Sequence, residues 1–259
     1  MSVTLLAEGV RFVEGPESNW TILTGDGTTT LIDCGYPADY DLVLQSIRDA
    51  GGQPDDVTIL VTHGHADHIG TAARLVREHG ARVLVHPDEL KNVTREELHQ
   101  VGVPEVLRRL HRPRVVRWAL RAIAAGGLSP VAVSAAATYD PALTLVASGH
   151  SIQVVGTAGH TPGHAAYWLH ESRVLVVGDA LVSAHPTSRL AGVQLLDRMF
   201  HADLEAAIGA LDELLAFDPL HILPGHGPAV AGFLWPESVA FAKGHAHDVP
   251  DTRTWRTQF

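Results

Sequence analysis

"VTHGHADHIG", residues 61–70, places three histidines and one aspartate within the six positions from His63 to His68. Imidazole and carboxylate groups are the donors that zinc, iron and manganese bind in proteins. One metal site needs three or four such donors, and this stretch supplies four. Asp67 and His68 are adjacent in sequence and point in other directions than His63 and His65. The stretch therefore favours two neighbouring metal ions over one.

The surrounding sequence predicts a layered α/β fold. The stretch ends an apolar run at 57–63, and further runs bounded by glycine and proline occupy 82–87, 152–160, 174–180 and 221–227. Such runs are typical of strands that are buried on both faces. Helical patterns lie between them at 39–50, 70–79 and 203–216, and strands alternating with helices indicate an α/β architecture.

Three further candidate ligands follow other apolar runs. His160, Asp179 and His226 each come just after such a run, and each is preceded by a glycine, which permits a tight backbone turn. Strand ends on one edge of an α/β fold meet at a single site. A lone histidine is more often a polar residue satisfied by hydrogen bonds, but three candidates in the same context favour a metal site.

The ordered series of these motifs resembles the metallo-β-lactamase fold superfamily. The segments "HGHADH", "GH" at 159–160, "GDA" at 178–180 and "GH" at 225–226 carry the resemblance, together with "IDCG" at 32–35. It extends from about residue 20 to about residue 230. It implies a four-layer αββα sandwich, and we expect residues 1–259 to form a single domain.

The resemblance also implies a role for each candidate ligand. His63, His65 and His160 would bind the first metal; Asp67, His68 and His226 would bind the second; Asp179 would bridge both. Asp33 would orient the loop that carries the ligands. We expect two divalent ions, with Zn²⁺ ahead of iron or manganese.

A predicted helical insertion occupies about residues 90–128. Thr94 to Glu97 form a capping-box pattern that would start a helix, Pro104 would open a second, and Pro113 would break or kink it. Six arginines of the segment are concentrated at positions 108, 109, 112, 114, 117 and 121. Arg117 and its neighbours are compatible with a lid that grips an anionic substrate and with a solvated helix face. A stripe of apolar residues with Trp118 offers a third interpretation, a roof over an acyl pocket.

The expected reaction is hydrolysis of an ester-like carbonyl bond. Two metals supply a bridging hydroxide, and Asp67 would orient it and shuttle its proton. Asp179 is present, and the only cysteine, Cys34, lies far away in sequence. This ligand pattern is similar to that of glyoxalase II-like thioesterases and lactonases. Val182 stands where lactonases of this kind have a tyrosine. His185 lies shortly after Asp179 and is a candidate substrate-binding residue.

Three alternatives to this reaction stay open at the level of sequence. A persulfide dioxygenase would use much of the same ligand set with a single iron and oxygen. A true β-lactamase or a metal-binding protein without turnover is less favoured. Metal analysis and a panel of substrates would separate all three from the hydrolase.

Composition limits the partners and the compartment. The net charge of −10 disfavours nucleic-acid binding, and no apolar run approaches the ~20 residues that cross a bilayer. The N-terminus lacks the basic and apolar blocks of a signal peptide, and a single cysteine suits a reducing compartment. We therefore expect a cytoplasmic enzyme with a small-molecule substrate, while the sequence leaves the oligomeric state open.

Overall fold

The first of two sheets has a mixed topology. A computed structural model describes residues 1–190 and 192–247, and within these residues seven strands pair in chain order from β1 to β7. Strands β1 to β4 are antiparallel, and β4 to β7 are parallel. The strands are β1 (Ser2–Ala7), β2 (Val10–Glu14), β3 (Asn19–Gly25), β4 (Thr28–Ile32), β5 (Val57–Val61), β6 (Arg82–Val85) and β7 (Ala137–Thr138).

The second sheet contains six strands within the described residues, in the order β13-β12-β11-β10-β9-β8. Only the β11–β12 pair is parallel in this part of the chain. The strands are β8 (Leu145–Ala147), β9 (His150–Gly156), β10 (Ala165–Leu169), β11 (Val174–Gly178), β12 (His221–Pro224) and β13 (Val230–Ala231).

Eight α-helices connect or flank these strands in the described part of the chain. None of them is long and apolar enough to span a bilayer. They are α1 (Tyr40–Asp49), α2 (Ala66–Ile69), α3 (Ala72–His79), α4 (Leu90–Thr94), α5 (Val103–Leu107), α6 (Pro113–Ala124), α7 (Leu204–Leu214) and α8 (Trp235–Gly244).

The two sheets pack face to face, with helices on both outer surfaces. Successive residues of a strand point to opposite faces, so Leu60 packs against the second sheet while its neighbour Ile59 packs against α1 and α3. On the far side, Leu211 of α7 and Val239 of α8 cover the outer face of the second sheet. This arrangement confirms the predicted αββα sandwich.

The helical segment predicted at about 90–128 lies between β6 and β7 as α4, α5 and α6, but two of its local predictions are wrong. Thr94 ends α4 instead of starting a helix, because Arg95 follows it in the left-handed conformation, with a φ of 67°. The Glu97 carboxylate accepts a hydrogen bond from Lys91 Nζ at 2.7 Å. Pro113 begins α6 instead of breaking a helix. Proline suits this first position, where its missing N–H costs no hydrogen bond. The prediction of a single domain includes residues 248–259, which lie outside the described residues.

Candidate metal centre

The predicted ligands meet at one edge of the two sheets. His63 follows β5, while His160, Asp179 and His226 follow strands β9, β11 and β12 of the second sheet. His65 is the residue that precedes α2, and Asp67 and His68 lie within that helix. Apart from Asp67, which is partly exposed, these ligand candidates are buried. The tertiary structure thus brings together seven side chains that the sequence spreads from position 63 to position 226.

Three histidines form the first group of donors. His160 Nε2 lies 3.2 Å from His63 Nε2 and 3.1 Å from His65 Nδ1. The three nitrogens lie within 4.8 Å of one another, close enough to share one ion. These are the residues predicted for the first metal.

A second group contains Asp67, His68 and His226, again with donor atoms within 4.8 Å. His226 Nε2 lies 3.3 Å from Asp67 Oδ2, and His68 Nε2 lies 3.8 Å from the same oxygen. These are the residues predicted for the second metal.

Asp179 lies between the two groups. Its Oδ2 is 3.5 Å from His160 Nε2 and 3.3 Å from His226 Nε2, and its Oδ1 is 3.6 Å from His68 Nε2. Its carboxylate therefore faces donors of both groups, which is the position expected of a bridging ligand.

The outer hydrogen bonds of the histidines leave the inner nitrogens free to bind a cation. His65 Nε2 donates to the His99 carbonyl at 2.6 Å, His68 Nδ1 to Asp33 Oδ2 at 2.8 Å, and His226 Nδ1 to the Glu17 carbonyl at 2.8 Å. Each ring then presents a lone pair to the centre. Within the described residues, buried His68 Nε2 and Asp179 Oδ1 have no hydrogen-bond partner. Convergent lone pairs and unpartnered buried atoms fit divalent metal ions.

The electrostatics of the centre divide its histidines into neutral and protonated rings. Burial lowers the pKa of His63 and His160 well below the usual value, so both rings are neutral. Burial alone would raise the pKa of Asp179, but His226 and His68 outweigh it and hold the pKa well below the usual range. Burial alone would lower the pKa of His68 and His226, but Asp179 and Asp67 outweigh it and raise the pKa, to about 9 for His68 and well above the usual value for His226. Protons on these two rings therefore balance the ionised, buried Asp179, and a divalent ion would replace those protons.

Asp33 fixes the loop that carries the ligands. Its Oδ1 accepts a hydrogen bond from the backbone N–H of Thr62 at 2.8 Å, and its Oδ2 accepts from the Thr62 hydroxyl at 2.7 Å and from His68. The Thr62 hydroxyl also lies 3.0 Å from His63 Nδ1. Asp33 thus contacts the ligand loop directly, at the position where the resemblance suggests it.

A glycine allows Asp179 to approach the other ligands. Gly178 has a φ of 49°, and a Cβ at this position would lie 2.8 Å from Thr62 Oγ1 and 2.9 Å from His164 Nε2. His164 Nε2 in turn accepts a hydrogen bond from the Asp179 backbone N–H at 3.1 Å. A side chain at 178 would therefore displace β11 from the first sheet and Asp179 from the centre.

Glu89 is a buried residue near the centre that the sequence analysis missed. Its Oε1 accepts hydrogen bonds from Gly64 N at 2.8 Å and from Asn92 Nδ2 at 2.6 Å. Its Oε2 accepts from Thr161 Oγ1 at 2.7 Å and from Gly163 N at 2.9 Å. One carboxylate therefore joins the His63–His65 loop to the His160 loop. Glu89 lies shortly after β6, at the same sheet edge as His63. This position in the sequence is the signal that could have identified Glu89.

An apolar cavity of about 300 Å³ opens beside the metal-ligand candidates. Trp118 and His185 line it, and their rings lie 6.1 Å apart. Arg117 is exposed and is not among the lining residues. Two other arginines of the segment bind the protein itself: Arg112 Nη1 contacts Asp197 at 3.1 Å, and Arg114 Nη1 donates to the Ser188 carbonyl at 2.6 Å.

The fold and the donor groups define an α/β protein with a metal-binding centre at the strand ends. The sequence profile of the Metallo-beta-lactamase superfamily matches residues 14–226. The chain belongs to this superfamily, and the match confirms the resemblance seen in the sequence motifs.

Individual relatives agree with this assignment. The chain is 25% identical to the probable metallo-hydrolase YflN of Bacillus subtilis (strain 168) over 216 residues, which cover 78% of this chain and 76% of YflN. It is 25% identical to the hydroxyacylglutathione hydrolase of Acidiphilium cryptum (strain JF-5), over 74% of this chain and 59% of that enzyme. The crystal structure of the metallo-beta-lactamase family protein TTHA1429 from Thermus thermophilus has the same fold, with a TM-score of 0.67 at 24% identity, covering 94% of this chain and 81% of that one. These similarities support divalent metal binding and a metal-dependent hydrolase in general.

Replacing a ligand candidate should remove metal. His63→Ala deletes a donor of the first group, and Asp179→Asn deletes the negative charge that faces both groups. We expect both variants to lose metal, measured by elemental analysis after reloading of chelator-treated protein with zinc. His170→Ala and Asp140→Asn, at exposed positions, are the matched controls and should bind as much metal as the unchanged protein. Full metal content in His63→Ala or Asp179→Asn would contradict the assignment.

The Glu89 carboxylate should control metal affinity from outside the ligand set. Glu89→Gln keeps the size of the side chain but turns an amide N–H towards the backbone N–H of either Gly64 or Gly163, which can only donate. We expect metal affinity to fall about 10–100-fold, measured by competition with a chromophoric chelator. Glu96→Gln, in the same segment but exposed, should leave the affinity unchanged. An unchanged affinity in Glu89→Gln would mean that the two loops hold their positions without this carboxylate.

Proposed function

We propose that this protein is a dinuclear metal-dependent hydrolase that cleaves an ester-like carbonyl bond, with thioesters and lactones as the favoured substrates. The observation that carries the proposal is the pair of donor groups around Asp179, at the end of a cavity large enough for a small molecule. Zinc is the favoured metal, because imidazole and carboxylate ligands suit it.

The chemistry that bound metals would supply is general. Two divalent ions held by these residues lower the pKa of water and polarise a carbonyl oxygen. In this proposal His63, His65 and His160 hold one ion, Asp67, His68 and His226 hold the other, and Asp179 holds both.

Asp67 is proposed to handle the proton of the attacking water. It is the most exposed of the ligand candidates, its side chain being 16% exposed, and it lines the cavity. Burial would raise the pKa of Asp67, but His68 and His226 keep it far below neutral. An ionised carboxylate that faces the cavity can accept a proton from water and return it to the leaving group.

His185 is proposed to donate a hydrogen bond to the substrate oxygen. Its Nδ1 lies 2.7 Å from Thr187 Oγ1 and accepts a long hydrogen bond, 3.4 Å, from Thr187 N, so Nε2 carries the ring proton. Within the described residues Nε2 has no hydrogen-bond partner, and the ring lies 5.0 Å from that of His226. Burial lowers the pKa of His185 to about 3, which makes the ring a neutral donor at pH 7.

The preference for thioesters and lactones over amides rests on two observations. One relative is a hydroxyacylglutathione hydrolase by name, and Asp179 completes a ligand set without cysteine. Cys34 is fully buried with its Sγ directed at the His68 carbonyl at 3.3 Å, and burial raises its pKa to about 12. A nucleophilic thiol is therefore not part of the proposed reaction.

The deciding experiment combines metal analysis with a substrate panel. Chelator-treated protein is reloaded with zinc, manganese or iron and assayed on a thioester, a lactone, an aryl ester and a β-lactam, with oxygen uptake on a persulfide in parallel. We expect two metal ions per chain and metal-dependent hydrolysis of the thioester or lactone. One iron per chain with oxygen uptake would instead identify a dioxygenase, and preferred cleavage of the β-lactam would overturn the favoured substrates.

His185→Ala separates substrate binding from metal binding. The ring is outside both donor groups, so metal content should stay the same, while kcat on the best substrate should fall about 100-fold, as when a donor to a developing oxyanion is removed. His170→Ala serves as the control for loss of a histidine. Loss of metal together with activity in His185→Ala would show that the residue supports the centre and not the substrate.

A further inference from the structure

We propose that the cavity beside the centre binds an uncharged, aliphatic acyl chain of the substrate. The inference rests on the proposed hydrolase function for the reaction, but the binding of the chain can be tested without turnover. The substrates it selects are esters, thioesters or lactones with a long apolar acyl part, in preference to acyl groups that carry a carboxylate.

The cavity is continuous with the donor groups. His65, Asp67, His160, Asp179 and His226 form one end of its wall. The remainder of the wall is mostly apolar and comes largely from the segment between β6 and β7. A molecule whose carbonyl reaches the centre can therefore place its acyl group in this cavity. The apolar lining residues are Val101, Val103, Val106, Leu107, Leu110, Val116, Trp118, Ala119, Leu120, Ala122, Ile123, Leu128, Leu196 and Phe200.

The charges of the wall exclude an anionic chain. Among the described residues that line the cavity there is no lysine or arginine. The formally charged groups of the wall are Asp67 and Asp179, both at the end occupied by the donor groups. A carboxylate or phosphate in the apolar part would lose its hydration without gaining a partner, which is costly.

The arginines of the same segment do not change this conclusion. Arg112 and Arg114 bind Asp197 and Ser188, and Arg121 lies 3.9 Å from Glu17. Arg117 is exposed and lies off the cavity wall. The apolar face of α6 therefore lies towards the cavity, and the arginines engage other parts of the protein or solvent. An anion-gripping lid, one of the interpretations of the sequence, has no cation on this wall to support it.

The apolar side chains at the cavity are also unusually exposed. Several large aliphatic residues of the wall keep between 46% and 67% of their surface exposed: Leu107, Leu110, Leu120, Ile123 and Leu128. A contiguous, exposed apolar surface on a protein is often a binding site. Its connection with the donor groups identifies the occupant as the substrate chain, because a segment packed there from another protein would block the centre.

Chain length should therefore set the rate. With zinc-loaded protein, kcat/KM along a series of neutral acyl thioesters from acetyl to decanoyl should rise by about threefold to fourfold for each methylene until the cavity is full. Leu120→Lys should flatten this series, because it places a cation on the wall at a position exposed enough to tolerate lysine. Leu220→Lys, at an exposed leucine away from the cavity, is the matched control and should keep the slope. Trp118→Ala should also flatten the series, with Phe233→Ala as its exposed aromatic control.

Binding without turnover keeps this inference separate from the proposed function. Calorimetry on the metal-free protein should detect decanamide but not acetamide, and Leu120→Lys should weaken decanamide binding at least tenfold. If hydrolysis is absent but decanamide binds in this way, the proposed reaction fails and the apolar site stands. If thioesters are hydrolysed with no dependence on chain length, or if a succinyl thioester is preferred to a butanoyl one, the inference is overturned. Sedimentation as a dimer that Leu120→Lys converts to monomer would also overturn it, because the apolar face would then be a contact between copies.

Discussion

The negative charge of Asp179 is the constraint around which the centre is built. The residue is 2% exposed, and a buried carboxylate is costly unless charges and hydrogen bonds compensate it. His68, His160 and His226 face its two oxygens, yet each of these rings also directs a lone pair inwards. Protons on the histidines can meet the charge in part, while divalent ions can satisfy the lone pairs and the carboxylate together. Metal affinity thus follows from an electrostatic demand that the fold itself creates.

The positions of the donors depend on four loops, which follow β5, β9, β11 and β12 at one edge of the sheets. Two other buried carboxylates hold the first two of these loops in place. Asp33 connects the end of β4 with Thr62 and His68, and Glu89 connects the His63–His65 loop with the loop of His160. Each accepts at least three hydrogen bonds, so its charge is compensated by fixed donors and not by solvent. The donor groups are consequently placed by hydrogen bonds within the protein before any cation is bound, which reduces the reorganisation that binding requires.

In the proposed function, a different part of the chain would select the substrate. Strand ends supply the donor groups, whereas α5 and α6, between β6 and β7, supply most of the cavity wall. Their large exposed leucines contribute little to the core, so sequence changes there would alter the cavity at small cost in stability.

The layered fold and the identity of the candidate ligands were readable from the amino-acid sequence. Apolar runs that end in glycine and a histidine or aspartate are local signals, and the rule that strand ends meet at one edge turns them into a site. The family resemblance already suggested how the candidate ligands divide between two metals, but the distances from Asp179 to three histidines required the folded structure, because they depend on the packing of two sheets. The same is true of the role of Glu89, whose partners lie up to 74 residues away, and of the side of α6 that meets the cavity. The predictions at Thr94 and Pro113 failed for two different local reasons. Arg95 adopts the left-handed conformation that ends α4 directly after Thr94, and Pro113 lies at the start of a helix and not inside one. The local sequence pattern therefore identified the candidate metal ligands. Long-range packing of the two sheets decided which of their donor atoms lie close enough to share an ion.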